Sequence, residues 1–188
     1  MDSATGKPTR TSRAAECGQV ILELLPVVTL MLILIFGVID FGRAIWEMQV
    51  LTSLSREGSN LASRNVSLQD AANAVINDGA VLNLSQNGKI IITSVQNQAP
   101  NQRAQPQFVI TGQYSTGSLS ATSKVGTYNP NPRRGGNQAS MPTETPVFPQ
   151  PNATVYVTEI YSSYSPITPL GAFVKSVVPR TLYDIAYF

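Results

Sequence analysis

The stretch VILELLPVVTLMLILIFGVI, residues 20–39, decides the architecture of this chain. One charge, Glu23, and one proline, Pro26, interrupt it. A hydrocarbon core roughly 30 Å thick is crossed by about 20 predominantly apolar residues in a helix, so the run predicts a transmembrane helix over 19–39. A cleavable secretory signal has a shorter apolar core, roughly 7 to 15 residues, followed by a small-x-small site. Here Asp40-Phe41-Gly42-Arg43 follows instead, and the segment is expected to stay in the membrane.

Outward from the run, Lys7, Arg10 and Arg13 stand before it, and the first basic residue after it is Arg43. An excess of Lys and Arg marks the cytoplasmic side. The expected topology is single-pass, with a cytoplasmic leader at 1–18 and everything beyond Asp40 outside. Phe41 and Trp46 fall where an interfacial aromatic belt belongs. Phe41, Ala44, Ile45, Met48, Leu51, Leu54, Leu61 and Ala62 then recur mostly at steps of three and four, which predicts that the helix continues over 40–64. From Gln19 to Arg64 it would be about 70 Å long at 1.5 Å per residue, and its outer half needs a partner for that stripe. Arg43 and Glu47, four apart, are expected to pair on an exposed face, worth about 0.2–0.5 kcal/mol.

Composition narrows the function classes. The 188 residues leave room for an anchor and one modest domain. Formal charge is +2 with 13% charged residues, and no basic stripe interleaved with aromatics supports a nucleic-acid partner. The sequence has no histidine and one cysteine, which excludes His-based triads, His-containing zinc sites and disulfides within it. Cys17 precedes the apolar run, whereas a lipoprotein acceptor cysteine follows one, so it reads as chemically idle. No nucleophile–base pair, phosphate loop or metal spacing stands out. The expectation is a non-enzyme with no cofactor, no metal and no small-molecule substrate.

Glu23 is the most informative residue. A carboxylate at the centre of an apolar span costs about 2.5–3.5 kcal/mol, and less near its end. It therefore needs either a route to interfacial water or a partner. Gly18 stands five residues earlier, giving Gly-x-x-x-x-Glu, which resembles the prepilin cleavage signal of type IV pilins. That resemblance implies a membrane peptidase cutting after Gly18, a mature chain starting at Gln19, and Glu23 as its fifth residue. A new terminal ammonium and a carboxylate on a neighbouring helix can neutralise each other in an apolar filament core, where an unpaired charge is expelled.

Taken together, Gly18-Gln19, Glu23, Pro26, Gly37 and Asp40-Phe41-Gly42-Arg43 are similar to the N-terminal signature of TadE-like proteins, minor pilins or pseudopilins of the tight-adherence (Tad/Flp) type IVb pilus system. Ser55-Arg56-Glu57-Gly58-Ser59 is similar to the polar-and-small segment that closes that family's helix. The resemblance runs over roughly 18–62. It implies anchoring in the bacterial inner membrane, processing by a prepilin peptidase, and a supporting role in pilus assembly beside other pilins, pseudopilins and assembly proteins. Two residues depart from the pattern. Glu16-Cys17 stands where prepilins commonly place a basic residue, and Leu24 where many substrates of the system have an aromatic. These departures leave open an uncleaved, single-pass anchor carrying a binding module.

Within the helix, Gly37 and Gly42 are five apart, so they do not form the four-residue glycine repeat of a dimer face. Pro26 removes the amide that would bond the Leu22 carbonyl and is expected to kink or loosen the helix there.

The remainder, 65–188, is predicted to be an extracytoplasmic head that makes the chain α+β and pilin-like. Ser67 and Asp70 form a capping box with Asp for the usual Glu, opening a short helix through Leu68, Ala71, Ala72, Val75 and Ile76 that ends at Gly79. Strands are expected at Lys89–Gln96, Gln107–Tyr114, Thr154–Tyr164 and Thr181–Phe188, with a weaker one at Leu119–Thr127, in an antiparallel sheet. TVYVTEIYSSY, residues 154–164, alternates well enough to suggest one face on a core and one in water. Asn129–Asn137 and Pro142–Pro151 read as irregular loops, with Arg133 and Arg134 solvated. Leu170–Val178 reads as a short amphipathic helix. Asn65, Asn83 and Asn152 fit the glycosylation sequon and are taken as chance matches.

Overall fold

The computed structural model describes residues 10–98, 107–131, 137–141, 150–169, 171 and 178–188, with side chains from residue 20 onward except residue 21. The expected α+β class holds: a long apolar N-terminal helix precedes a head built on a four-stranded antiparallel sheet. Two compact units divide the chain, residues 1–42 with 166–177, and residues 43–165 with 178–188.

Helix α1 spans Arg10–Ser63. In the first unit its side chains from Leu22 to Ile39 point almost wholly outward, with Leu22 73% and Val38 72% exposed. This helix is long and apolar enough to cross a membrane. The helix passes through Pro26 without ending, and Thr29 Oγ1 donates to the Leu25 carbonyl at 2.8 Å. Asp40 is fully buried. It accepts hydrogen bonds from the Thr168 hydroxyl and from the amides of Ile167 (3.1 Å) and Thr168 (3.4 Å).

In the second unit the Arg43–Ser63 part of α1 packs on the sheet. The expected stripe splits here. Ala44, Leu51, Leu54 and Ala62 are buried, whereas Ile45 and Met48 stay exposed. The inward positions that complete the stripe are small or polar: Glu47, Ser55, Gly58 and Ser59. The pattern therefore follows helical spacing more faithfully than hydrophobicity alone reveals.

Helix α2, Leu68–Asp78, opens with the expected cap. Ser67 Oγ accepts from the Asp70 amide at 3.1 Å and donates to the Asp70 carboxylate at 2.6 Å. It ends at Gly79, where a Cβ would meet Leu84 Cδ1 at 2.4 Å; close approach fixes this glycine. A 3-10 turn, Gly79–Leu82, and a one-turn helix α3, Leu84–Asn87, follow without a periodic sequence signal.

The strands are β1 Gly88–Asn97, β2 Phe108–Thr116, β3 Thr154–Ser163 and β4 Thr181–Tyr187, in the order β2-β1-β3-β4. Their cross-strand pairs include Ile90↔Ile160, Thr93↔Val157 and Tyr161↔Tyr183. A bulge between Ser94 and Val95 places Thr111 as the extra residue of β2, where Thr111 Oγ1 donates back to the Ser94 carbonyl at 3.2 Å. Ile90, Ile92, Ile160 and Leu182 face α1 and α2, joining Leu51, Leu54, Ala71, Ala72 and Val75 in the main core.

Two expectations need correction. Leu119–Thr127 is irregular, with Gly126 at φ 136°, and β3 does not have a water face: Val157 through Ser162 are all buried. The two have one cause. The irregular segment covers the second face, closing a smaller cluster of Val95, Ile110, Val125 and Val157. Its backbone is spent on that face, so it does not lengthen the sheet.

The sequon asparagines, Asn65, Asn83 and Asn152, have φ 65°, 51° and 67°, and are the non-glycine residues with positive φ among those described. Asparagine tolerates the left-handed region, so turn chemistry explains these positions. Of the predicted loops and helix, residues 132–136, 142–149, 170 and 172–177 lie outside the described residues.

A Cβ on Gly58 would sit 3.0 Å from Thr158 Cγ2, Thr158 Oγ1 and Val75 Cγ2. Gly58→Val is therefore expected to destabilise the detergent-solubilised chain by about 1–3 kcal/mol, the range for overpacking. Arg56→Ala and Glu57→Ala, at exposed positions, should stay within about 0.5 kcal/mol. Urea denaturation followed by circular dichroism measures all three.

Candidate functional site

The signature residues separate by environment along α1. Gly18 and Gln19 lie in the helix, ahead of the residues whose side chains are described. Glu23 is exposed, and among the described residues it has no hydrogen-bond or ion-pair partner. Pro26 is exposed as well. At Gly37 and at Gly42 a Cβ would meet nothing within 4 Å. Phe41 is 43% exposed. Among the described residues of its unit, this stretch makes its cross-chain hydrogen bonds through Asp40, whose carboxylate binds Ile167 and Thr168.

In the second unit Arg43 Nε donates to Glu47 Oε1 at 2.9 Å, the expected pair. The face is not the exposed one anticipated: Glu47 is 5% exposed. Further along, Arg56 and Glu57 point to solvent, and the neighbouring small residues form a seam. Ser55 and Ser59 are fully buried. Ser55 Oγ and Thr52 Oγ1 donate to the Asp184 carboxylate on β4, the latter at 3.1 Å. Ser59 Oγ donates to the Ala186 carbonyl at 3.0 Å. Sequence reasoning missed Asp184. Its signal was an acid in the inward register with Leu182 and Ala186, matched by hydroxyls three residues apart on α1.

A second missed centre is Glu159 of β3, fully buried on the far face of the sheet. It accepts from Ser123 Oγ, from the Lys124 amide at 2.8 Å, and from the hydroxyls of Tyr183 (3.1 Å) and Tyr161 (3.3 Å). The two tyrosine rings stack at 4.8 Å with a 42° tilt, and Lys124 Nζ lies 3.4 Å above the Tyr183 ring. Burial, reinforced by the Glu159 carboxylate, pushes the Tyr161 phenol up to about 12 and raises Tyr183 further. Burial with the same carboxylate pushes Tyr187 up to about 12. This cluster pins the covering segment to the sheet. Among the described residues no three His, Cys, Asp or Glu side chains gather in a metal-binding group.

The family model for TadE-like protein matches residues 18–60. Over this segment the chain is similar to TadE-like proteins. No curated protein and no solved structure matches the chain. The TadE-like match begins at the glycine of the Gly-x-x-x-x-Glu pattern and ends one residue past Ser59, inside the seam. It thus takes in the apolar helix and the part of α1 that holds the head, while the sheet lies beyond it.

The tyrosine environment sets a pH dependence. A phenol whose folded pKa is raised favours folding while it is neutral in the unfolded chain, so its contribution is complete below about pH 10. Between about 10 and 12 the unfolded chain loses these protons first, and stability falls as pH rises. The detergent-solubilised chain is expected to lose stability across that window, and Tyr183→Phe to flatten the loss. Thermal melts at stepped alkaline pH, read by near-UV circular dichroism, check both.

Proposed function

We propose that this TadE-like chain is a minor pilin or pseudopilin that supports assembly of a type IVb pilus. In this reading it is a single-pass protein of the bacterial inner membrane, with residues 1–18 in the cytoplasm and the head outside. It acts by contact with other pilins, pseudopilins and assembly proteins, and it catalyses no reaction.

The observation that carries the reading is Glu23. It is a carboxylate in an apolar exposed stretch, five residues past Gly18, without a partner among the described residues. In lipid such a charge is costly and is retained where a partner compensates it. Cleavage after Gly18 by a prepilin peptidase supplies one, the terminal ammonium of Gln19 on an adjacent subunit. The match to TadE-like protein starts at that same glycine, and the apolar residues 22–39 offer the lateral surface a helical assembly needs. Glu16-Cys17 and Leu24 favour the second reading, an uncut membrane anchor whose β-rich head binds a partner directly.

Intact mass and terminal sequencing of the chain from membranes containing a prepilin peptidase separate the two. The expected mature terminus is Gln19, and Gly18→Val should leave the leader in place. Glu23→Ala should allow cleavage yet reduce surface pili to the level of a deletion strain. An uncut wild-type chain with normal piliation would establish the second reading instead.

A further inference from the structure

Arg43, Trp46 and Glu47 of α1 line one side of a polar cleft of about 220 Å³, which Val81, Asn83, Ser163 and Ser165 help to close. All belong to the second unit. The ion pair in this cleft is incomplete. Arg43 uses only Nε, on Glu47 Oε1. Among the described residues the terminal guanidinium nitrogens and Glu47 Oε2 have no partner. The cleft therefore presents an unused cationic fork and an unused carboxylate oxygen, one helical turn apart. Trp46, 45% exposed, stands beside them, and Val81 is 72% exposed.

Position narrows the ligand. Arg43 follows Asp40 by three residues of the same helix, about 4.5 Å along its axis. Hydrocarbon roughly 30 Å thick lies in a bilayer of about 40–45 Å including its headgroups. Arg43 thus falls at the depth of the headgroups, provided the anchoring proposed above is correct. A guanidinium fork suits a phosphate, and serine hydroxyls add neutral donors to it. A carboxylate suits an ammonium that still carries N–H groups, and an indole face attracts the same cation. A lone anion would engage only the guanidinium and a lone amine only Glu47 Oε2, whereas a ligand carrying both charges engages both ends of the pair. The volume falls below the about 300 Å³ at which pockets for drug-sized molecules begin.

We infer that this cleft binds the phosphate–ammonium headgroup of an outer-leaflet lipid, with phosphate on Arg43 and the serines and ammonium on Glu47 and Trp46. The lipid would tie this part of α1 to the membrane surface.

Trp46 is the one tryptophan in the sequence, so its fluorescence reports on the cleft directly. The full chain in a neutral maltoside detergent is titrated with a short-chain phosphoethanolamine lipid, the matching phosphoglycerol lipid, and inorganic phosphate. A saturable change in Trp46 emission with the first is expected, at least about tenfold weaker with the others. Arg43→Gln and Glu47→Gln should each weaken it at least about tenfold, the scale of one charge-assisted hydrogen bond. Ser163→Ala with Ser165→Ala, at exposed positions, gives a variant that keeps the fold and should weaken it severalfold. Equal saturation by inorganic phosphate would make this a simple anion site and overturn the inference. So would a response unchanged in the folded Arg43→Gln or serine variants, or no saturation at all. Alkaline carbonate extraction of membranes tests the anchoring reading separately: a chain retained in the pellet without a Trp46 response refutes the headgroup site alone.

Discussion

The head depends on how closely α1 can approach the sheet at one turn. Gly58 has Thr158 and Val75 against it at distances that leave no room for a methyl group without a shift. Ser55 and Ser59, on the same face, carry hydroxyls short enough to reach β4 from the helix surface. Larger residues would lift the helix away and withdraw those donors from Asp184 and the Ala186 carbonyl. Asp184 would then be an inward carboxylate without its hydroxyls, in a position that is costly for an unsatisfied charge. The seam thus combines apolar burial at Leu51, Leu54 and Ala62 with a polar register lock, so that sliding α1 by one turn breaks both together.

Closing the second face of the sheet raises a different problem, because the covering segment brings no regular structure of its own. Its backbone groups must find acceptors and donors without a ladder. Glu159 answers much of this need from one point, holding the Ser123 hydroxyl and the Lys124 amide while Tyr161 donates to the Thr122 carbonyl at 2.9 Å. Gln113 contributes in the same way, donating to the Gly126 carbonyl at 2.8 Å and accepting from the Tyr128 amide at 3.1 Å. Side chains of the sheet act here as the missing neighbouring strand. The raised pKa values of Tyr161 and Tyr183 follow from this arrangement, since the phenols are buried and donate to a carboxylate that disfavours their ionisation.

How much of this was legible varies with the kind of signal. The apolar run, the Ser67 cap and the four strands that form follow from local periodicity and capping chemistry; the strands appear within a few residues of their expected bounds, whereas α1 begins at Arg10, inside the stretch expected as leader. Gly18, Glu23 and the Arg43–Glu47 pair are equally local. Asp184 and Glu159 were missed as centres because Ser55 and Ser123, whose hydroxyls they hold, lie 129 and 36 residues away in sequence, and the register of an acid does not tell what it will meet. The Leu119–Thr127 error has the same root. Its β-prone residues serve as packing for the sheet, a tertiary role that propensity does not encode.

Glu23 and Glu47 show how one residue type is resolved in two solvents. Glu47 has Arg43 four residues before it, and the helix itself brings the charges to 2.9 Å. Glu23 has Gln19 and Val20 before it and Pro26 and Val27 after it at the helical spacings of four and three, so no side-chain cation of its own helix can reach it. Nor does any described residue compensate it. Relief therefore comes either from interfacial water or from a charge outside the side chains of this helix. Under the proposed processing, the cut that removes the leader also creates an ammonium at Gln19, in the same apolar layer as the carboxylate. One peptide bond broken at Gly18 would then make Glu23 stable in a bundle of identical or related helices, while the uncut chain would continue to bear the cost of its charge alone.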